Sequence, residues 1–157
     1  MRISRVMLAM VTIAIAGLGL GVAAQQKPAA AAAQKVTVYK TASCGCCRLW
    51  VDHLKANGFD VQAMDVSAEQ VRAVSKVAGL KDDDVSCHTA KVGGYVVEGH
   101  VPAEDVKRLL AEKPNALGVY VPGMPIGSPG MEQGDTKEPY DVLLLRKDGT
   151  AEVYSKH

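Results

Sequence analysis

Val36-Thr37-Val38-Tyr39-Lys40-Thr41-Ala42-Ser43-Cys44-Gly45-Cys46-Cys47 runs from a β-branched segment into a turn that holds three of the four cysteines of the chain. The β-branched residues predict a strand over residues 36–40. An amphipathic pattern then predicts a helix over residues 46–57, with Gly58 just after its end. The cysteines therefore fall on a strand-to-helix turn, where core packing does not explain them, and they indicate soft-metal binding, thiol redox chemistry or both.

Further along the chain, strand-like and helix-like patterns alternate. Ser67 and Gln70 have the spacing of a capping box, which predicts a helix over residues 68–78. The other predicted elements are strands at 59–66, 95–97, 140–146 and 151–154 and a helix after Pro102, with a long Gly/Pro/Met loop within 114–139 and a C-terminal hairpin turn at Asp148-Gly149.

The order of these elements predicts an α/β fold in which helices flank a mixed β-sheet. Cys44 and Cys47 have the Cys-x-x-Cys spacing directly after the first strand of a β-α-β unit. That placement predicts a thioredoxin-like arrangement.

The N-terminal residues predict export. Arg2 and Arg5 precede an apolar run that reaches Leu20, and small residues follow as far as Ala24. This is the pattern of a signal peptide cleaved after Ala24, although the run is close to the roughly 18–20 apolar residues of a membrane anchor. We therefore expect a signal peptide at 1–24, a flexible Ala-rich tether at 25–34 and a single domain at 35–157, in an oxidising compartment.

Charge argues against nucleic acid as a partner. The 157 residues include 18 Lys and Arg and 17 Asp and Glu, a formal net charge of +1. The predicted signal holds two Arg and no acid, so its removal changes the net charge to −1. Neither value indicates the concentrated basic face that nucleic-acid-binding proteins usually present.

The cysteine turn suits two chemistries, since a helix N-terminus stabilises the thiolate, which both attacks disulfides and binds metals. Two features favour metal. Thioredoxin-like oxidoreductases usually have a cis-proline before the third strand, whereas Ser86-Cys87-His88-Thr89 offers a thiol and an imidazole. Three thiols this close together would also exchange disulfide partners in a simple dithiol catalyst.

Among metals, copper fits the cysteines better than zinc. Four Cys, or three Cys with His88, have the composition of a tetrahedral zinc site, but the chain has one cysteine knuckle rather than two. Thiolates select Cu(I), which accepts sulfur bridging between ions. The sequence predicts that several Cu(I) ions share Cys44, Cys46, Cys47 and Cys87. Structural disulfides, such as Cys44–Cys47 with Cys46–Cys87, remain an alternative.

Other residues carry weaker signals. We expect His88 to be exposed in a loop, as a metal ligand or beside one. His100 stands at a strand-to-helix junction, where it either binds metal or bonds to backbone, and His53 is expected to be a simple helix-face residue. Met124 and Met131 either bind Cu(I) or pack beneath their loop.

The motifs together resemble the CopG-like proteins of bacterial copper resistance, a family long catalogued as a domain of unknown function. The resemblance covers roughly residues 35–157 and rests on Cys44-Gly45-Cys46-Cys47 with Trp50, Ser86-Cys87-His88-Thr89, residues 95–102 and the loop from Met124 to Met131. It implies a thioredoxin-like fold, a periplasmic location and a multinuclear copper centre with the four cysteines as ligands. It also implies redox handling of copper.

From these observations we predict an exported copper-binding protein that holds Cu(I) in copper resistance. The expected metal ligands are Cys44, Cys46, Cys47, Cys87 and His88. Expected partners are copper ions and periplasmic copper-handling proteins, with no nucleic acid and no membrane after signal cleavage. Whether the chain is also a copper oxidoreductase stays open, and the alternative function is a thiol-disulfide oxidoreductase that uses Cys44 and Cys47.

Overall fold

The structure is a computed structural model that describes residues 33–157, and this part of the chain forms seven strands and three α-helices. The predicted signal peptide at 1–24 and residues 25–32 of the predicted tether lie outside the described residues. The elements are β1 (Lys35–Lys40), α1 (Gly45–Ala56), β2 (Asp60–Asp65), α2 (Ala68–Val77), β3 (His88–Val92), β4 (Tyr95–Glu98), α3 (Ala103–Glu112), β5 (Ala116–Tyr120), β6 (Asp141–Arg146) and β7 (Ala151–Lys156). None of the described helices has the length and apolar character needed to cross a membrane.

All the strands belong to one mixed sheet in the order β2-β1-β3-β4-β5-β6-β7. β1 and β2 are parallel, β3 is antiparallel to both of its neighbours, and β5 is parallel to β4. The elements from β1 to α3 therefore have the thioredoxin-like arrangement. The predicted fold class is confirmed, and β5 with the β6–β7 hairpin extends the sheet beyond β4.

Two strands, β3 and β5, were not predicted from the sequence. β3 reads His-Thr-Ala-Lys-Val, and its first two residues are polar but fully buried. β5 lies inside the segment that the Gly and Pro content assigned to a loop. Its Gly118 is needed because a Cβ there would overlap the carbonyl oxygen of Val96 in β4. Both strands are defined by their neighbours in the sheet rather than by a local apolar pattern.

The helices cover the two faces of the sheet. Trp50 and Leu54 of α1 and Leu109 of α3 pack with Val97 of β4 in the main hydrophobic core. Glu98, the next residue of β4, points to the opposite face, where it contacts Ser75 of α2. The capping box predicted for α2 is confirmed, since Ser67 Oγ accepts the Gln70 N–H and the Gln70 side chain accepts the Ser67 N–H.

Candidate metal centre

The four cysteines meet where β1 ends and β3 begins. Lys40, the last residue of β1, is paired in register with His88, the first residue of β3. Cys44 is the N-cap of α1, and its Sγ accepts the N–H of Cys47 at 3.2 Å. Cys87 immediately precedes β3. The pairing of β1 with β3 therefore brings Cys87 against the first turn of α1.

The sulfur atoms form a compact group. Cys44 and Cys47 are joined by a disulfide, whereas Cys46 and Cys87 are free thiols. The Sγ–Sγ distances are 3.5 Å between Cys44 and Cys46, 3.9 Å between Cys46 and Cys87, and 3.3 Å between Cys47 and Cys87. All four sulfurs lie within 4.8 Å of one another. Sulfurs bound tetrahedrally at about 2.3 Å to one ion stand roughly 3.8 Å apart, so the free thiols are already at ligand spacing.

His88 is buried, and its expected exposure in a loop is wrong. Its side chain is 0% exposed because it lies in β3 beneath α1, with its ring centroid 4.4 Å from that of Trp50. The Nε2 atom is 3.0 Å from the carbonyl oxygen of Gly99, to which it donates its proton. The other nitrogen, Nδ1, is then free to accept and lies 3.7 Å from Cys87 Sγ.

His100 approaches the same sulfur from a second direction. It is fully buried, its Nδ1 donates to the carbonyl oxygen of Pro129 at 2.8 Å, and its Nε2 lies 3.9 Å from Cys87 Sγ. Sequence analysis left open whether His100 binds metal or backbone, and the geometry allows both, one with each nitrogen. Metal-binding histidines characteristically donate their other N–H to a carbonyl or carboxylate, and both imidazoles are held in that way.

Burial sets the protonation of these groups. It lowers the pKa of His88 to about 3, and the neighbouring His100 acts in the same direction. Burial also lowers the pKa of His100, so both rings are neutral at pH 7, the form that binds metals. Burial, together with the neighbouring Cys46, raises the pKa of the Cys87 thiol to about 11. A metal that binds Cys87 must therefore displace a proton.

The long loop after β5 covers the site. A Cβ on Gly130 would lie 2.8 Å from the carbonyl oxygen of Cys46 and 2.9 Å from the backbone nitrogen of Trp50, so only glycine allows this approach to α1. Met124 is 53% exposed and borders a cavity of about 410 Å³ that also reaches Cys87. Met131 is partly buried. Roles of the two methionines in copper binding stay predictions.

His53 has a structural partner that the sequence did not indicate. Its Nε2 accepts the backbone N–H of Ala103 at 3.0 Å and so satisfies a free donor at the start of α3. The ring of His53 is therefore used in holding α3 against α1 and is not directed at the cysteines.

Comparison with known proteins finds a family and solved structures that this chain resembles. The family described as "Protein of unknown function, DUF411" matches residues 85–131. A solved structure named "Copper resistance protein copG- Form 1" is 42% identical, with a TM-score of 0.73, and the match covers 78% of this chain and 96% of that chain. For "Copper resistance protein copG- Form 2" the identity is 43%, the TM-score 0.74, and the coverage 80% and 98%. The comparison with curated proteins finds no match.

The chain belongs to the CopG-like family of copper-resistance proteins. The matched segment of this CopG-like chain contains Cys87, His88 and His100, together with the loop that covers them. The described residues thus include a cysteine cluster able to hold a metal ion, in a chain whose family is named for copper resistance. Which side chains are the ligands remains a prediction.

Proposed function

We propose that this chain is an exported protein that holds Cu(I) as a cysteine-bridged cluster on Cys44, Cys46, Cys47 and Cys87. The observation that carries the proposal is the group of four sulfurs within 4.8 Å of one another. Such crowding suits ions that accept low coordination numbers and share thiolates, as Cu(I) does, better than a single zinc ion. His88 and His100 would add neutral nitrogen ligands beside the sulfur of Cys87.

Opening the disulfide is a requirement of this proposal. Cys44 and Cys47 bind copper as thiolates, so their disulfide must first be reduced. The dithiol form then offers four sulfurs, and the disulfide form offers Cys46 and Cys87 with the two imidazoles. The two forms should differ sharply in Cu(I) capacity.

The decisive experiment is an anaerobic Cu(I) titration of the reduced chain against a chromophoric competitor, with copper X-ray absorption to count sulfur neighbours. We expect more than one Cu(I) per chain and sulfur-dominated coordination. The matched comparisons are the oxidised wild-type chain and the Cys44→Ser/Cys47→Ser variant, which both lack two thiolates and should both lose most of the copper. Substoichiometric binding by the reduced chain, or unchanged binding by the double variant, contradicts the proposal.

The disulfide favours a second, related activity in which the dithiol reduces copper. Two Cu(II) ions would each take one electron from the Cys44 and Cys47 thiolates, giving two Cu(I) ions and one disulfide, while the thiol protons pass to solvent. Rapid mixing of the reduced chain with Cu(II) tests this step. The Cu(II) electron paramagnetic resonance signal should disappear at two ions per disulfide formed, and a persistent signal would exclude the activity.

A thiol-disulfide oxidoreductase that acts on other proteins is the remaining alternative. Insulin reduction by the copper-free chain would support it, and inactivity would count against it.

Export is tested separately. A periplasmic fraction should contain a chain whose mass corresponds to cleavage after Ala24, and a full-length mass in the membrane fraction would instead indicate an anchor.

A further inference from the structure

Glu98 is a buried acid on the face of the sheet opposite α1. Its side chain is 0% exposed, and no ion pair within residues 33–157 includes it. Burying a carboxylate without a cation is costly unless hydrogen bonds compensate. An apolar side chain would fill the space beneath α2 at lower cost, so the contacts of this acid call for an explanation.

Three donors surround the carboxylate. Oε1 accepts the backbone N–H of Ser86 at 2.6 Å, and Oε2 accepts the Thr89 hydroxyl at 2.6 Å. Ser75 Oγ lies 3.2 Å from Oε2 and 2.6 Å from Thr89 Oγ1. Burial raises the pKa of Glu98 to about 7, and the hydrogen bonds from these three residues oppose that rise.

The two oxygens serve different parts of the fold. Through Oε2, the hydroxyls of Thr89 and Ser75 tie β3 to α2, which is a contribution to packing. Through Oε1, Glu98 binds the residue directly before Cys87. Ser86 lies outside β3, so no neighbouring strand supplies an acceptor for its N–H. The carboxylate supplies that acceptor instead.

The segment Glu98-Gly99-His100 contacts each residue of Ser86-Cys87-His88. Gly99 N–H donates to the carbonyl of His88 at 3.2 Å, and Gly99 C=O accepts from the His88 ring at 3.0 Å. His100 Nε2 faces Cys87 Sγ at 3.9 Å. A Cβ on Gly99 would lie 3.3 Å from Cβ and Oγ of Ser86 and 2.8 Å from the carbonyl oxygen of Val121, so glycine allows the two segments to approach this closely.

We propose that Glu98 is a positioning residue of the copper centre, acting through Ser86 on Cys87. By holding the Ser86 N–H, the carboxylate sets where Cys87 Sγ stands relative to the sulfurs of α1 and to His100. The inference rests on the proposed copper function and adds to it a residue that touches neither copper nor any of its ligands.

Three variants separate positioning from stability. Glu98→Val removes the bonds to both Ser86 and Thr89. Thr89→Val removes the hydroxyl from the same buried network but keeps the bond to Ser86, and it is the matched control. Glu98→Gln keeps an acceptor for the Ser86 N–H, and its amide N–H can donate to Thr89 Oγ1. The Thr89 hydroxyl can then donate to Ser75 Oγ instead.

Each full-length variant is measured in two ways, by the unfolding midpoint of the metal-free chain and by Cu(I) affinity with the copper absorption spectrum. We expect Glu98→Val to lower the Cu(I) affinity by about tenfold, the size of effect seen when groups that orient metal ligands are lost, and to change the spectrum. Thr89→Val should lower the unfolding midpoint but keep the wild-type affinity and spectrum. Glu98→Gln should also keep the wild-type Cu(I) affinity and the wild-type copper absorption spectrum.

Several outcomes would overturn the inference. One is a folded Glu98→Val variant whose affinity and spectrum match those of Thr89→Val. Another is a folded Glu98→Gln variant that binds copper as weakly as Glu98→Val, because charge rather than position would then matter. If Glu98→Val does not fold, Glu98→Ala replaces it, since a methyl group also makes no bond to Ser86, and wild-type copper binding by that folded variant overturns the inference. Failure of the wild-type chain to bind Cu(I) is a different result, which overturns the proposed function and this inference with it.

Discussion

Cys87 Sγ lies 3.3 Å from Cys47 Sγ, although 40 residues separate the two along the chain. Cys47 is a buried residue in the first turn of α1, and Cys87 precedes β3. The contact makes Cys87 the sulfur that joins the Cys-Gly-Cys-Cys turn to the two buried imidazoles. Copper binding should therefore depend on Cys87 more than its isolated place in the sequence suggests.

Cys87→Ser tests that dependence. The variant removes the sulfur shared between the turn and both histidines, so Cu(I) affinity should fall by more than about 100-fold, beyond the loss typical of outer groups. Ser86→Ala is the neighbouring control, because its hydroxyl lies 4.0 Å from Cys87 Sγ and contributes little. Competition with a Cu(I) chelator measures both. Equal affinities for the two variants would show that Cys87 is not a ligand.

His100 and His53 should respond differently to the same substitution. His100→Ala removes a nitrogen directed at Cys87 Sγ and should lower Cu(I) affinity by about 10-fold or more. His53→Ala leaves the Ala103 N–H without its acceptor and should cost about 1 kcal/mol of stability while copper binding is unchanged. Chelator competition and thermal unfolding separate these effects. A copper defect in His53→Ala, or none in His100→Ala, would contradict the site described above.

His53 should also make the stability of the metal-free chain depend on pH. Burial lowers its pKa below the ordinary value of 6.5, so the unfolded chain binds this proton more readily than the folded chain does. Its stabilising contribution is therefore complete above about pH 6.5 and is lost as the pH falls through the lower folded-state pKa. His53→Gln keeps an acceptor for Ala103 N–H but does not titrate.

Between pH 7 and pH 5 the melting temperature of the wild-type chain should consequently fall more than that of His53→Gln. Comparison of the two chains at each pH removes the contributions that they share, including those of His88 and His100. An equal fall in the melting temperature of the two chains across this range would show that the ring of His53 is not held in its neutral form.

The packing of the loop on α1 is tested by two glycines. Gly130 and Gly123 both have positive φ, +86° and +70°, so alanine costs about 1–2 kcal/mol of backbone strain at either position. A Cβ on Gly130 meets Cys46 and Trp50, whereas one on Gly123 meets nothing within 4 Å. Gly130→Ala should therefore cost more stability and also disturb copper binding.

Trp50 provides the readout for this pair, because it is the single tryptophan of the chain and its ring lies 4.4 Å from that of His88. We expect copper to quench its fluorescence in the wild-type chain and in Gly123→Ala, with weaker quenching in Gly130→Ala. Identical quenching and stability in the two variants would mean that the loop does not support the site.

The sequence predicted most of what local patterns can encode. The capping box of α2, the glycine after α1, the C-terminal hairpin and the cysteine turn at the start of α1 are each specified by residues close together in the chain. The prediction missed β3 and assigned β5 to a loop, because the roles of Thr89 and Gly118 are explained only by their contacts with β4. It was also wrong about the exposure of His88, because a histidine in a short polar segment has no local mark of burial.

By itself, the sequence determined most of the order of elements, the thioredoxin-like fold class and a cysteine turn with the chemistry of a soft-metal site, since apolar periodicity, capping and thiol chemistry act over a few residues. Only the tertiary structure decided which groups meet at that site. The pairing of β1 with β3 brings Cys87 to α1, and carbonyl oxygens of Gly99 and Pro129 direct one free nitrogen of each histidine toward it. These contacts join segments that are far apart in the chain, so they depend on strand pairing and loop packing that no short stretch of sequence specifies.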